Sequence, residues 1–266
     1  MYSKFKIASR YLQYYLTASN GKGHGIHSPF VFDFITHVLK DNRHFYAYEA
    51  IEALRIKLLH NKTVLQVEDM GAGSVTGATK QRTIQQIAKW AAKPPKFAQL
   101  LFKMVNYYQC QHIVELGTSL GLSAAYMAAA NKNAHVLTIE GDPAIAAMAQ
   151  ANFIQLNLPH IQLLNGNFDE VLPHYLSTVQ QLIDLAFIDG NHRAAPTLNY
   201  FNQLLPHLNE HSIVVFDDIH WSAEMEEAWH HIQQNTAVTM SIDLFFVGLV
   251  FFKKDFKVKQ HFTIRF

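Results

Sequence analysis

From residue 112 onward the chain alternates short apolar runs with helical stretches, and this alternation restricts the fold more than any other feature. Residues 112–116, 135–140, 161–164, 183–188 and 212–216 read as strands. Between and after them, 123–130, 144–156, 169–179, 196–208 and 223–234 carry helical spacing. Strands this short and this apolar suit a parallel sheet whose two faces are covered by helices. Two further runs, 237–242 and 245–252, are split by Asp243 and Leu244 and read as an antiparallel pair. The expectation is an α/β fold with a seven-stranded, mostly parallel sheet and an antiparallel C-terminal hairpin.

The first hundred residues have another rhythm. Helical spacing over 3–17, 31–40, 46–59, 82–92 and 97–108 is interrupted by GKGHGIHSP, by DMGAGS and by Pro94-Pro95. Glycine clusters and paired prolines mark loops. GAGS lacks the G-x-x-x-x-G-K-[ST] spacing of a triphosphate-binding loop. The expected organisation is a helical N-terminal extension over 1–95 and an α/β domain over 96–266. The basic tail, with Lys253, Lys254, Lys257, Lys259 and Arg265, reads as a solvated edge.

Composition narrows the function. Twenty-two Lys and Arg against 21 Asp and Glu leave a formal charge of +1. Such a balance gives little long-range attraction for phosphates, so no nucleic-acid partner is expected. A hydrophobic share of 49% with 16% charged residues excludes a disordered chain. Cys110 is the only cysteine, so neither an intrachain disulfide nor a cysteine-based zinc site can form. The longest apolar run, 244–252, is too short to span a bilayer as a helix, and the N-terminus is broken by Lys4, Lys6 and Arg10. The expected location is cytoplasmic, with no membrane partner.

The strongest local signal is VELGTSLGLS, 114–123. A strand ends at Gly117 and a helix opens at Gly121, so glycine would let a ligand approach backbone N–H groups at a helix N-terminus. The spacing is not G-x-G-x-x-G, which counts against a dinucleotide. The next strand ends in Glu140-Gly141-Asp142, where an acid can accept hydrogen bonds from ribose hydroxyls.

Together with KPPKFAQLLFKMV before it, this loop resembles the class I S-adenosylmethionine-dependent methyltransferases, within them the catechol/caffeoyl-CoA O-methyltransferase-like group. Ala98 stands where that group usually has glycine. The resemblance covers about residues 90–252 and implies a Rossmann-like fold and an S-adenosyl-L-methionine cofactor. It implies that Glu115, Gly117, Thr118, Ser119, Gly121 and Ser123 line the methionine end, that Glu140 and Gly141 hold the ribose, and that Asn167 and Phe168 meet the adenine. It further implies that the N-terminal helices cover the acceptor pocket and support a homodimer, with His24, His27, Asp69 and Ser74 as outside candidates for the pocket wall.

The fourth strand ends in FIDGNH and the fifth in VFDDIHW. In a parallel sheet both endings lie on the ligand-binding edge, so Asp189, Asp217 and Asp218 can converge. Converging carboxylates call for a compensating cation, and oxygen ligands favour Mg²⁺ or Ca²⁺. Metal-dependent members of the group resemble this pattern, although Asp218 replaces their asparagine. Asp189 also stands where the cofactor's ammonium group would bind. His192, three residues on, is the candidate general base, and His220 and Trp221 are candidate acceptor contacts. The function expected is O-methylation of a small hydroxylated molecule, an aromatic acceptor being one candidate. A nicotinamide-dependent oxidoreductase and a non-catalytic cofactor-binding protein are the alternatives. Of 16 histidines, only His192 and His220 fall at strand ends facing the expected pocket.

Overall fold

The computed structural model describes residues 1–19, 28–67 and 81–266, which divide into two compact units, 1–41 with 182–266 and 42–181. The first unit opens with α1 (Lys4–Thr17), capped by the Ser3 hydroxyl accepting the Lys6 N–H. α2 (Pro29–Phe34) begins on proline and runs into a π turn, Ile35–Leu39. The chain then builds the second unit. α3 (Tyr46–His60) leads to an antiparallel ribbon of β1 (Val64–Gln66) and β2 (Gln81–Thr83). α4 (Ile84–Trp90) starts from a capping box made by Thr83 and Gln86, and α5 (Pro95–Tyr108) again starts on proline.

Three parallel strands follow in the order β3 (His112–Leu116), β4 (His135–Glu140), β5 (Ile161–Asn165). They alternate with α6 (Leu122–Ala130), α7 (Pro143–Gln155) and α8 (Phe168–Thr178). α3 packs its Ile51, Leu54 and Leu58 into the same apolar cluster as Ala125 and Tyr126 of α6. Tyr48, Phe102 and Tyr126 meet tilted or edge-on there, ring centres 5.0–6.5 Å apart. The Tyr126 hydroxyl donates to Glu52, which Arg55 also holds.

The chain returns to the first unit with β6 (Ile183–Ile188), α9 (Ala194–Leu204), β7 (Leu208–Asp217) and α10 (Ala223–Gln234). It finishes with β8 (Met240–Asp243), β9 (Val247–Phe251) and β10 (Gln260–Thr263). The strand order in this unit is β10-β8-β9-β7-β6, with β6 parallel to β7 and the β8–β9 hairpin antiparallel. Phe216 of β7 lies between Phe201 of α9 and Trp229 of α10. β9 carries Gly248 under that indole, where a Cβ would come within 2.7 Å of the ring.

The fold is therefore the expected Rossmann-like α/β class, mostly parallel, with the antiparallel C-terminal hairpin. Leaving aside the β1–β2 ribbon, the strands number eight rather than seven, five in the first unit and three in the second. The extra one is β10, in the tail expected to be a solvated edge. It pairs in parallel with β8 from Gln260 opposite Met240 to Thr263 opposite Asp243, and Ile264 beyond it is fully buried. Among the described residues, no helix is long and apolar enough to cross a membrane.

Candidate active site

In the second unit the turn after β3 is wound tightly. Gly117, Ser119 and Gly121 all have positive φ, at 103°, 49° and 80°. For Ser119 that conformation carries about 1–2 kcal/mol of strain. Its N–H donates to Glu140 Oε2 at 2.8 Å, and the Asp142 N–H donates to Oε1 at 3.0 Å. The carboxylate at the end of β4 is thus locked beside the turn. Burial raises its pKa, partly offset by those backbone donors. Asn165 of β5, whose role sequence reasoning missed, steadies the same corner by donating to the Glu140 and Gly141 carbonyls.

Several expected cofactor contacts lie beneath the turn. Thr138 donates to Glu115 Oε2 and receives the Thr118 hydroxyl, both at 2.6 Å, while Ser123 also bonds Glu115. Glu115, Thr118 and Ser123 are all buried. Gly121 is glycine for two local reasons, its left-handed φ and the ring of Phe153, which a Cβ would meet at 2.4 Å. Asn167 spends its side-chain oxygen capping α8 at the Asp169 N–H, and Phe168 begins that helix half-buried.

Glu115 has a measurable consequence. Burial drives its pKa up to about 7, against the pull of the Ser123 and Thr138 hydroxyls. An acid whose pKa rises on folding keeps its proton in the native state while the unfolded chain ionises, so stability falls between the ordinary value of 4.5 and about 7. The loss is about 3 kcal/mol. Urea titrations of Glu115→Gln should show a protein more stable than wild type by that order at pH 8 but not at pH 4. Equal pH dependence in both proteins would refute the buried, protonated carboxyl.

In the first unit, Asp189, His192 and Asp217 each bring one ligand atom within 4.8 Å of the others, the only such group of three among the described residues. His192 Nε2 lies 3.6 Å from Asp189 Oδ1, beyond a hydrogen bond but within ion-pair reach. Asn191 and His192 have φ of 66° and 33°, and Asp218 has 54°. Left-handed non-glycine residues gathered after β6 and β7 are a mark of functional loops. Asp218 is not in the trio: Asp217 closes β7, and the turn at Asp218 sends its N–H to the Phe246 carbonyl.

His220 is employed elsewhere. Its Nδ1 faces Glu226 Oε1 at 3.1 Å and its Nε2 faces Asp243 Oδ2 at 2.8 Å. Only the imidazolium offers a proton to both. Burial would lower its pKa, but the two carboxylates together outweigh burial and raise it. Half-buried Trp221 gives its carbonyl to the Tyr2 N–H. Glu226 and Asp243 carried no motif signal. His24, His27, Asp69 and Ser74 lie outside the described residues.

Residues 114–219 match a family model described as a methyltransferase domain. A catechol O-methyltransferase from Niastella koreensis is 33% identical over 126 residues, covering 47% of this chain and 55% of that protein. Protein R132 of Acanthamoeba polyphaga mimivirus, described as uncharacterized, is 30% identical over 131 residues, covering 45% and 58%. The chain thus spans little more than half the length of these curated relatives. Among solved structures, the SAH-bound methyltransferase PaMTH1 of Podospora anserina aligns with a TM-score of 0.58 at 14% identity, over 85% of this chain and 97% of that one. The O-methyltransferase TomG of Streptomyces achromogenes, in complex with SAM, gives 0.54 at 20% identity, over 61% and 82%. At these identities the likeness is one of fold.

Proposed function

We propose that this chain, whose residues 114–219 match a methyltransferase-domain model, moves a methyl group from S-adenosylmethionine to a hydroxyl of a small aromatic acceptor of the catechol type. The observation that carries this reading is the locked corner of the second unit, a turn with three left-handed residues beside the Glu140 carboxylate. The Ser119 hydroxyl adds to the fit. It is buried with no hydrogen-bond partner among the described residues, a group that a polar ligand would satisfy. Gly117, Ser119, Glu140 and Gly141 would hold the cofactor directly, with Asn167 and Phe168 on the adenine side. Glu115, Thr118, Ser123 and Gly121 would support them from below.

S-adenosylmethionine, when bound, supplies a methyl group already activated on a sulfonium. The protein must then align the acceptor and remove one proton. In this reading the His192 imidazole takes that proton and Asp189 stabilises the resulting imidazolium. Asp189 and Asp217 would hold a divalent cation such as Mg²⁺ or Ca²⁺, whose Lewis acidity lowers the pKa of an acceptor hydroxyl. The donor set fits: two carboxylates within 4.8 Å of each other supply part of an oxygen shell that water completes, with His192 within the same reach serving as base rather than ligand. Asp218, outside the trio, is left out of that shell.

Ligand-dependent melting tests the cofactor assignment. S-adenosylhomocysteine at about one hundred times its Kd should stabilise the protein by about 2.7 kcal/mol, and NAD⁺ should not. Stabilisation by NAD⁺ alone would replace this reading with an oxidoreductase. The homodimer also remains a proposal, supported by Phe5, Leu12 and Leu16, which stand exposed on one side of α1. Sedimentation should give twice the chain mass, and serine at those three positions should halve it; a monomeric wild type ends the proposal. A cytoplasmic location and a small-molecule partner follow as parts of the same reading.

A further inference from the structure

We propose that the N-terminal segment, Tyr2 together with α1, is a positioning element for the loop that joins β7 to α10, acting through Tyr2, Arg10, Glu226 and His220. The proposal rests on the methyl-transfer reading, because that loop continues from Asp217 and carries Trp221. The loop, residues 218–222, is short of regular structure and starts from the strained Asp218. Its own ties include the Asp218 N–H to the Phe246 carbonyl, the Trp221 N–H to the Asp218 carbonyl and the Ser222 hydroxyl that caps α10 at the Met225 N–H.

Two further ties come from the N-terminus. The Tyr2 N–H donates to the Trp221 carbonyl at 3.0 Å. Glu226, one turn into α10, is gripped by Arg10 Nη1 at Oε1, 2.5 Å, and by the Tyr2 hydroxyl at Oε2, 2.9 Å. The same Oε1 faces His220 Nδ1, and the opposite ring nitrogen faces Asp243 at the end of β8. The His220 ring lies over Phe245, 5.1 Å between centres, and Phe245 in turn packs on Tyr11 and Tyr14 of α1. Two cations thus balance two carboxylates around the loop, which the N-terminal segment reaches through the Tyr2 backbone and, by way of Glu226 and Phe245, through side chains of α1.

These ties are not what holds the unit together. β8 and α10 are fixed by the sheet and by Trp229, whereas Arg10 is more than a third exposed and Tyr2 precedes the helix. Removing the side-chain grip on Glu226 should leave the fold and loosen the loop, which then keeps only the Tyr2 backbone tie to the N-terminus. Released, the loop would sample orientations in which Trp221 no longer faces the acceptor as required, and misplacement by about 1 Å can cost two orders of magnitude in rate.

The test is the full-length double variant Tyr2→Phe, Arg10→Met, with Arg10→Lys as the conservative control. Amide exchange at 218–222 should quicken about tenfold while that of β6 and β9 stays put. With catechol as acceptor, KM for catechol should rise about fivefold or more while affinity for S-adenosylhomocysteine stays within about twofold, and Arg10→Lys should recover most of the loss. Unchanged exchange at 218–222 overturns the proposal. So does faster exchange with kcat and the acceptor KM unaltered, which would make the contacts merely structural. If the wild type methylates no catechol at all, the methyl-transfer reading is what fails, and the exchange rates alone then decide whether the N-terminal segment holds the loop.

Discussion

Replacing Gly121 by alanine should cost about 2–5 kcal/mol of stability and weaken S-adenosylhomocysteine binding by at least about tenfold. Two penalties add. At φ 80° an L-residue carries about 1–2 kcal/mol of left-handed strain. The new methyl would also lie 2.4 and 2.7 Å from two ring atoms of Phe153 and 3.4 Å from Ala149. Phe153 is 1% exposed on α7, so its ring has nowhere to go and overpacking of about 1–3 kcal/mol follows. The only relief is to push the start of α6 away, which opens the corner where Ser119 meets Glu140. Adding Phe153→Leu should recover the packing share but not the strain. Urea denaturation separates these contributions. Stability within about 0.5 kcal/mol of wild type would show that neither clash nor backbone demands glycine there.

How far the chain could be read depended on whether a residue's environment was set by its sequence neighbours. β3, β4, β6 and α10 lie at the bounds read from periodicity, because buried parallel strands and a Ser222-capped helix announce themselves locally. β10 did not, since five cations between 253 and 265 mask an alternation that ends in the buried Ile264. Thr138 looked like any β-branched strand residue, and only its registry opposite Glu115 turns it into a hydrogen-bond relay. The Asp217-Asp218 doublet read as one acidic patch, yet successive side chains leave a strand on opposite faces, and the turn at Asp218 separates them further. His220 stood at a strand end like a pocket residue. Its partners at 226 and 243 are chosen by tertiary packing, which no spacing rule reveals.

The division of labour within Asp189, His192 and Asp217 predicts a second large effect. His192→Ala should lower kcat for catechol by about 10²–10⁴ while leaving S-adenosylhomocysteine affinity unchanged. A base is needed only as the acceptor's proton departs, so its loss appears in kcat rather than in cofactor binding. Asp217→Asn should behave differently. Asp217 is 4% exposed and closes β7, so the amide keeps the shape while removing one of the two carboxylates proposed for the cation. Its rate should fall to that of chelator-treated wild type and stop responding to added Mg²⁺. If chelation leaves the wild type untouched and Asp217→Asn stays active, proton removal falls to His192 alone. If His192→Ala keeps more than about a tenth of wild-type kcat, the base is another group and the trio is a cation site in which imidazole serves as ligand. Either result is decided by comparing the two variants under the same chelator, since a variant lacking the base is still slowed by metal withdrawal whereas one lacking a ligand is not slowed further.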